Sequence, residues 1–186
     1  MKSTVDVELI DSTAFAGLVT AASHVYGAAM HRSPEMVVQR REIMQSHLHR
    51  RGFVAVTAVE PQAPDSDRLV GFGYGYQGKA GDWWHDTVAG ALGRDAARQW
   101  LRDAFELAEL HVRPDRHGQG VGRRILDRLL GAAAGDTVVL STHDRESPAR
   151  QLYRSVGFVD LVGGFRFPGS AEVYAIMGLD RRSVTT

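Results

Sequence analysis

Residues Leu110–Leu126 read LHVRPDRHGQGVGRRIL. An apolar strand ends at Val112, Pro114 turns the chain, and Gly118, Gly120 and Gly122 open a helix. Glycine lets a backbone approach a ligand closely and take up unusual dihedrals. The first N–H groups of a helix have no internal partner and lie at the positive end of its dipole, so the segment suits a pyrophosphate. Arg116, Arg123 and Arg124 add positive charge. The plain alternative is a structural strand-to-helix turn. Two other phosphate loops fail on spacing. A Walker A loop needs Gly-Lys-Ser/Thr, where this chain has Arg123-Arg124, and a dinucleotide fingerprint needs G-x-G-x-x-G, where this chain has G-x-G-x-G.

Outward from this turn the pattern alternates helix and strand. The preceding strand, Phe105–Val112, has Phe105 and Leu107 apolar at odd positions but Leu110 and Val112 at even ones. One extra residue near Ala108-Glu109, a β-bulge, reverses the faces in this way; a strand buried on both faces accounts for it equally. The following helix runs to about Ala134 with a stripe of Val121, Ile125, Leu126, Leu129, Leu130 and Ala133. Thr137–Thr142 is a short apolar strand, Ser147-Pro148 starts a helix closed by Gly157, and Phe158–Phe165 and Glu172–Asp180 read as the last strands. Upstream, Ser12 caps a helix predicted to reach Met30, and Ser33-Pro34 starts another that runs to about Arg51 and stops at Gly52. Phe53–Glu60 and Arg68–Gln77 form an antiparallel hairpin. The second strand puts Val70, Phe72, Tyr74 and Tyr76 on one face and Gly71, Gly73 and Gly75 on the other, which leaves room for a ligand or lets a helix sit close. Gly78–Arg102, with Trp83, Trp84 and Trp100, holds two short helices. No repeat or linker interrupts residues 1–186, so one α+β domain is expected.

The 186 residues balance 22 Lys and Arg against 22 Asp and Glu. A chain without positive excess is poorly suited to nucleic acid or to anionic membrane surfaces. It contains no cysteine, which removes disulfides, thiolate metal sites and a cysteine nucleophile together and suits a reducing cytoplasm. No signal peptide or apolar run of membrane-spanning length is visible. The eight histidines show no metal-ligand spacing, so no metal is expected.

The turn resembles the GNAT superfamily of acyl-CoA-dependent N-acetyltransferases, whose pattern is V-x-P-x-x-R-G-x-G-x-G with arginine or glutamine at the sixth place. Val112, Pro114, Gly118, Gly120 and Gly122 are in register, and His117 stands at the Arg/Gln position. The resemblance implies a mixed, mostly antiparallel sheet of six to seven strands, splayed at a bulged central strand and flanked by helices. It implies acetyl-CoA as cosubstrate, held through Leu110, His111, Val112, His117, Gly118, Gln119, Gly120, Val121, Gly122 and Arg123, with the Val112 amide facing the acyl carbonyl. The same resemblance allows for a homodimer.

A second stretch, Ser147–Phe158 (SPARQLYRSVGF), resembles the family's later helix, N-x-x-A-x-x-L-Y-x-x-x-G-F. Ala149, Leu152, Tyr153, Gly157 and Phe158 match, while Glu146 replaces the asparagine. When an amine attacks a thioester, the leaving thiolate has a pKa of about 8.5 if it resembles cysteine, and a tyrosine of about 10 can protonate it. Tyr153 is thus the candidate general acid; the alternative is a packing aromatic. The attacking amine must first lose a proton. Glu109, His111, His143 and Asp144 are candidates, with Glu109 first by analogy with the family's strand carboxylate. Trp83, Trp84 and His143 are candidate contacts for an amine acceptor on a small molecule or peptide. A domain that binds acyl-CoA as a sensor without turnover would keep the glycine turn and not need Tyr153.

Overall fold

The computed structural model describes residues 4–182. Among them the strands form one seven-stranded, mostly antiparallel sheet, ordered β1-β2-β3-β4-β5-β7-β6. The strands are β1 (Asp6–Ile10), β2 (Val54–Val59), β3 (Leu69–Gln77), β4 (Ala104–Val112), β5 (Thr137–His143), β6 (Val159–Phe165) and β7 (Tyr174–Asp180). Seven helices accompany them: α1 (Ser12–Ala16), α2 (Val19–Met30), α3 (Pro34–His47), α4 (Trp83–Leu92), α5 (Arg94–Leu101), α6 (Val121–Ala132) and α7 (Pro148–Ser155). The chain packs as two compact units, one running up to Tyr76 and resuming over Ala108–Ala133, the other made of Gln77–Leu107 and the residues from Ala134 on. Strand β4 is divided between them after Leu107.

In the first unit, β3 decides what lies on each face. Phe72, Tyr74 and Tyr76 join Phe15, Tyr26 and Met44 in an apolar cluster, with the Phe15 and Tyr74 ring centroids 5.3 Å apart. Gly71 and Gly73 face the other way, toward α6. A Cβ on Gly73 would lie 2.8 Å from Leu129 Cδ1 and 3.0 Å from the Glu109 carbonyl. The glycine face therefore serves close helix packing rather than a ligand. The stripe of α6 that meets it is Val121, Ile125, Leu126 and Leu129, all buried, as the helical period requires.

Three boundaries differ from the sequence reading. The first helix is capped by Asp11, whose side chain accepts from the Ala14 N–H, not by Ser12, and it breaks at Gly17-Leu18 into α1 and α2. Ser33 caps α3 as expected, but α3 ends at His47; the left-handed glycine, Gly52 at φ 67°, belongs to the turn after it. Strand β1 was not foreseen. It pairs antiparallel with β2, from Asp6 opposite Val59 to Ile10 opposite Ala55.

In the second unit, β5 lies between a parallel partner and an antiparallel one. Ala104–Glu106 pair with Thr137–Val139, and β7 runs opposite β5 from Asp180 to Tyr174. Val88, Leu101, Val139, Phe167 and Ile176 form its core. Trp100 packs against Gly178, where a Cβ would come within 2.7 Å of its ring.

Strand β4 carries one residue more than its neighbour. Arg113 N–H donates to the Val70 carbonyl, and Gly78 N–H to the Ala104 carbonyl. Between these bonds β3 advances eight steps, from 70 to 78, while β4 returns nine, from 113 to 104. An antiparallel ladder keeps the sum of paired numbers constant, so the surplus residue is a bulge in β4, as the change of apolar parity suggested.

Candidate active site

The glycine turn lies wholly in the first unit. Pro114–Arg116 form a single 3-10 turn. Gly118 and Gly120 then take φ of 71° and 74°, the left-handed region where a side chain is penalised. Nothing lies within 4 Å of where their Cβ atoms would be, so conformation, not crowding, demands glycine here. Gly120 caps α6 without any side-chain bond, and the first helical bond runs from Arg124 N–H to the Gly120 carbonyl. Among the described residues, the backbone N–H groups from Gly118 to Arg123 find no acceptor. Six donors at the start of a twelve-residue helix suit an anion, because they point out of the positive end of the helix dipole.

The charged side chains around the turn behave differently from the sequence reading. Arg116 is clamped on Glu60, at 2.5 and 2.9 Å, and also reaches Asp115; its hydrogen bonds hold the Glu60 carboxyl below the usual carboxylate value. Arg123 lies on Asp127, 2.8 Å away. Arg124 donates to the Val5 carbonyl. Two of the three expected cations are thus already balanced by carboxylates of this chain. Gln119 folds onto the Asp115 carbonyl. His117 turns its Nε2 to the Val112 carbonyl, 2.8 Å away, so the residue at the family's Arg/Gln position fastens the turn to the strand end.

Val112 is buried. Since the Arg113 N–H points to β3, alternation along the strand turns the Val112 N–H away from β3. Leu110 shares the even-numbered face with Val112.

The odd-numbered residues meet a polar cluster that the sequence reading did not foresee. Glu109 is only 5% exposed. Its Oε1 accepts from Arg40 Nη1 at 3.0 Å, and its Oε2 is 2.5 Å from His111 Nε2. Burial pushes the Glu109 carboxyl up, but the bond and charge of His111, then Arg40 and His47, outweigh it and hold the group below the ordinary 4.5. Tyr26 packs against both partners. The Arg40 guanidinium sits 4.8 Å over its ring, and the His111 ring meets it in a T-shaped contact, centroids 5.2 Å apart. His47 lies 2.9 Å from the Tyr74 hydroxyl. Arg40 was detectable in principle: Val37, Arg40, Met44 and His47 share one face of α3 at helical spacing, and Met44 is fully buried. A cation on the inward face of a helix needs a partner.

A recess of about 500 Å³ opens between α2 and α3, lined among others by Ser23, His24, Arg32 and Arg41. It contains none of the residues predicted for the site.

In the second unit, Ser147 caps α7 by accepting from Arg150 N–H, and Tyr153 is buried with its ring 5.6 Å from Phe158. Glu146 bonds Arg154. Asp144 accepts from Arg150 and from the Gly164 N–H, a structural role. His143 Nε2 is 3.1 Å from Glu172 Oε2, and its ring is 5.3 Å from Tyr174. The Trp84 indole N–H donates to Ser141, whereas Trp83 is 60% exposed with its ring 5.5 Å from Phe167. Of the three acceptor candidates, Trp83 alone keeps an open face. Among the described residues no cluster of three metal-ligating side chains occurs, and no helix is long and apolar enough to cross a membrane.

Residues 63–160 match the acetyltransferase (GNAT) domain family. The chain is 34% identical over 179 residues to the GCN5-like protein acetyltransferase Rv2170 of Mycobacterium tuberculosis, covering 83% of this chain and 87% of that one. Among solved structures, the ribosomal-protein-S18-alanine N-acetyltransferase of Escherichia coli superposes with a TM-score of 0.62 at 17% identity, covering 95% of this chain and 94% of that one. The yncA protein of Salmonella typhimurium, solved with acetyl-CoA, gives 0.59 at 17% identity, covering 96% and 94%.

Proposed function

The chain belongs to the GNAT superfamily and is an N-acetyltransferase, and from that premise we propose that it moves the acetyl group of acetyl-CoA onto a primary amine of a protein or small molecule by direct attack. The observation that carries the reading is the run of unpartnered N–H groups from Gly118 to Arg123 at the start of α6. Backbone donors in that number suit the CoA diphosphate, and a cosubstrate fixed there brings a thioester to the end of β4. Likeness to a protein acetyltransferase over most of both chains supports a peptide amine as acceptor. Residues 1–186 act as one transferase domain in this reading, in the cytoplasm that a cysteine-free chain suits.

An ammonium loses a proton to the Glu109–His111 pair on β4, and that proton passes to solvent. The neutral nitrogen attacks the thioester carbon, a C–N bond forms, and the carbonyl electrons move to an oxyanion that the Val112 N–H accommodates. The C–S bond then breaks, and the thiolate takes the phenolic proton of Tyr153. The surplus proton on the new amide nitrogen restores the phenol. Trp83, with its exposed indole, is the acceptor contact that the packing leaves accessible.

The test is a pair of measurements. Acetyl-CoA should raise the melting temperature, because a ligand that binds only the folded state stabilises it. Free thiol should then appear when acetyl-CoA is supplied with one member of a panel of peptides, polyamines and aminoglycosides. A thermal shift without thiol release would favour an acyl-CoA sensor, and no shift would remove the site.

A further inference from the structure

Resting on the acetyl-transfer reading above, we infer that the atom which deprotonates the amine is Nδ1 of His111, and that Glu109 and Arg40 are positioning residues behind it. Both oxygens of the Glu109 carboxylate are already engaged, one by Arg40 and the other by His111. The group is almost wholly buried, so an incoming ammonium would have to displace a guanidinium or an imidazole to reach it. Carboxyls held ionised are also weak bases, whereas imidazoles as a class titrate near neutral pH.

The tautomer follows from the contact. An ionised carboxylate only accepts hydrogen bonds, so His111 Nε2 must carry the hydrogen directed at Glu109. In the neutral ring the lone pair is then on Nδ1. Three contacts fix the ring's orientation: the Glu109 bond, the T-shaped contact with Tyr26 and the Phe72 ring 5.6 Å away. Arg40 acts one step further back. It holds the second carboxylate oxygen; burial pulls its own pKa down, but the charge of Glu109 and the neighbouring Tyr26 outweigh that and leave it raised. Without it, the buried carboxyl loses a reason to stay charged, and an un-ionised Glu109 could donate to His111 and reverse the tautomer. When His111 takes the proton from R–NH3+, the N–H bond of the amine breaks, an Nδ1–H bond forms, and the imidazolium charge is balanced by Glu109.

Two experiments test this. The first is the pH dependence of kcat/KM with an accepted amine. His111→Asn should lower kcat about 10²-fold or more, leave KM for acetyl-CoA within about twofold, and remove the acidic limb of the profile. Glu109→Gln and Arg40→Met should shift that limb to lower pH, and Arg40→Lys should restore most of the rate; a merely structural Arg40 would change stability without moving the limb. An acidic limb retained in His111→Asn but lost in Glu109→Gln would overturn the inference and make Glu109 the base. The second experiment needs no turnover. Nitrogen-15 NMR of the folded wild type should show the His111 ring with its hydrogen on Nε2 and a bare Nδ1 at high pH, and the opposite tautomer would overturn the inference. Failure to release thiol with any amine, alongside the expected tautomer, would sink the transfer reading and leave the tautomer assignment standing.

Discussion

His117 Nε2 lies 2.8 Å from the carbonyl oxygen of Val112, five residues earlier in the chain. A carbonyl can only accept, so Nε2 carries a hydrogen, and the bond survives whether the ring is neutral or protonated. His117→Ala removes one hydrogen bond, worth about 0.5–1.5 kcal/mol, from the hinge between strand and phosphate turn. Titration calorimetry should record acetyl-CoA binding weakened by up to about tenfold, with His117→Arg closer to wild type. Equal affinities across all three proteins would show that the bond does not shape the turn.

Gly120 is held at φ 74° with open space beyond it. Gly120→Ala meets no clash but pays about 1–2 kcal/mol for a left-handed backbone. The turn should relax away from its anion-binding form, raising the acetyl-CoA Kd about tenfold while the melting temperature of the free protein drops by only a few degrees. Undiminished affinity would place the diphosphate elsewhere.

Tyr153→Phe keeps the ring that packs on Phe158 and deletes the phenolic proton. Loss of a general acid costs about 10²–10⁴-fold, so kcat should fall by at least about 10²-fold while acetyl-CoA affinity stays within twofold. A rate unchanged from wild type would return Tyr153 to a packing role.

Gly73→Ala tests the contact between β3 and α6. The new methyl would meet Leu129 at 2.8 Å and the fixed Glu109 carbonyl at 3.0 Å. Overpacking of this kind costs about 1–3 kcal/mol, read as a lower urea midpoint. A midpoint equal to wild type would mean that α6 can move away freely.

The Glu109 carboxyl is depressed below 4.5 in the folded chain. Its stabilising contribution is therefore complete above 4.5 and drains away as pH falls through the lower folded value. Glu60, Asp115 and Asp160 are depressed as well and act in the same direction. Urea midpoints should be flat above pH 5 and drop below 4.5, with a shallower drop in Glu109→Gln. Equal slopes in the two proteins would mean that Glu109 keeps its ordinary pKa.

The parts that were legible before folding are those written in local chemistry. Gly118 and Gly120 announce a left-handed backbone, Ser33-Pro34 and Ser147-Pro148 announce helix starts, and the parity change after Leu107 announces the bulge. What escaped depends on distant partners. The role of Arg116 as a counter-ion belongs to Glu60, 56 residues away, and no spacing rule connects the two. The inward face of α3 could mark Arg40 as buried, but not name its partner, because Glu109 lies 69 positions further on. β1 is an edge strand with few buried side chains, Val7 foremost, so its alternation of charged and apolar residues did not mark a buried face. The break at Gly17-Leu18 was hidden because apolar spacing continues across it.

The donors that the turn offers belong to peptide groups, not to side chains. A conventional alanine scan would therefore register little at Gln119 or Arg123, although their N–H groups belong to the proposed cradle. The informative probe is atomic: replacing single amides with esters by chemical synthesis deletes one hydrogen and spares every side chain. Such backbone editing would test the proposed diphosphate contacts one amide at a time, where codon changes are blind.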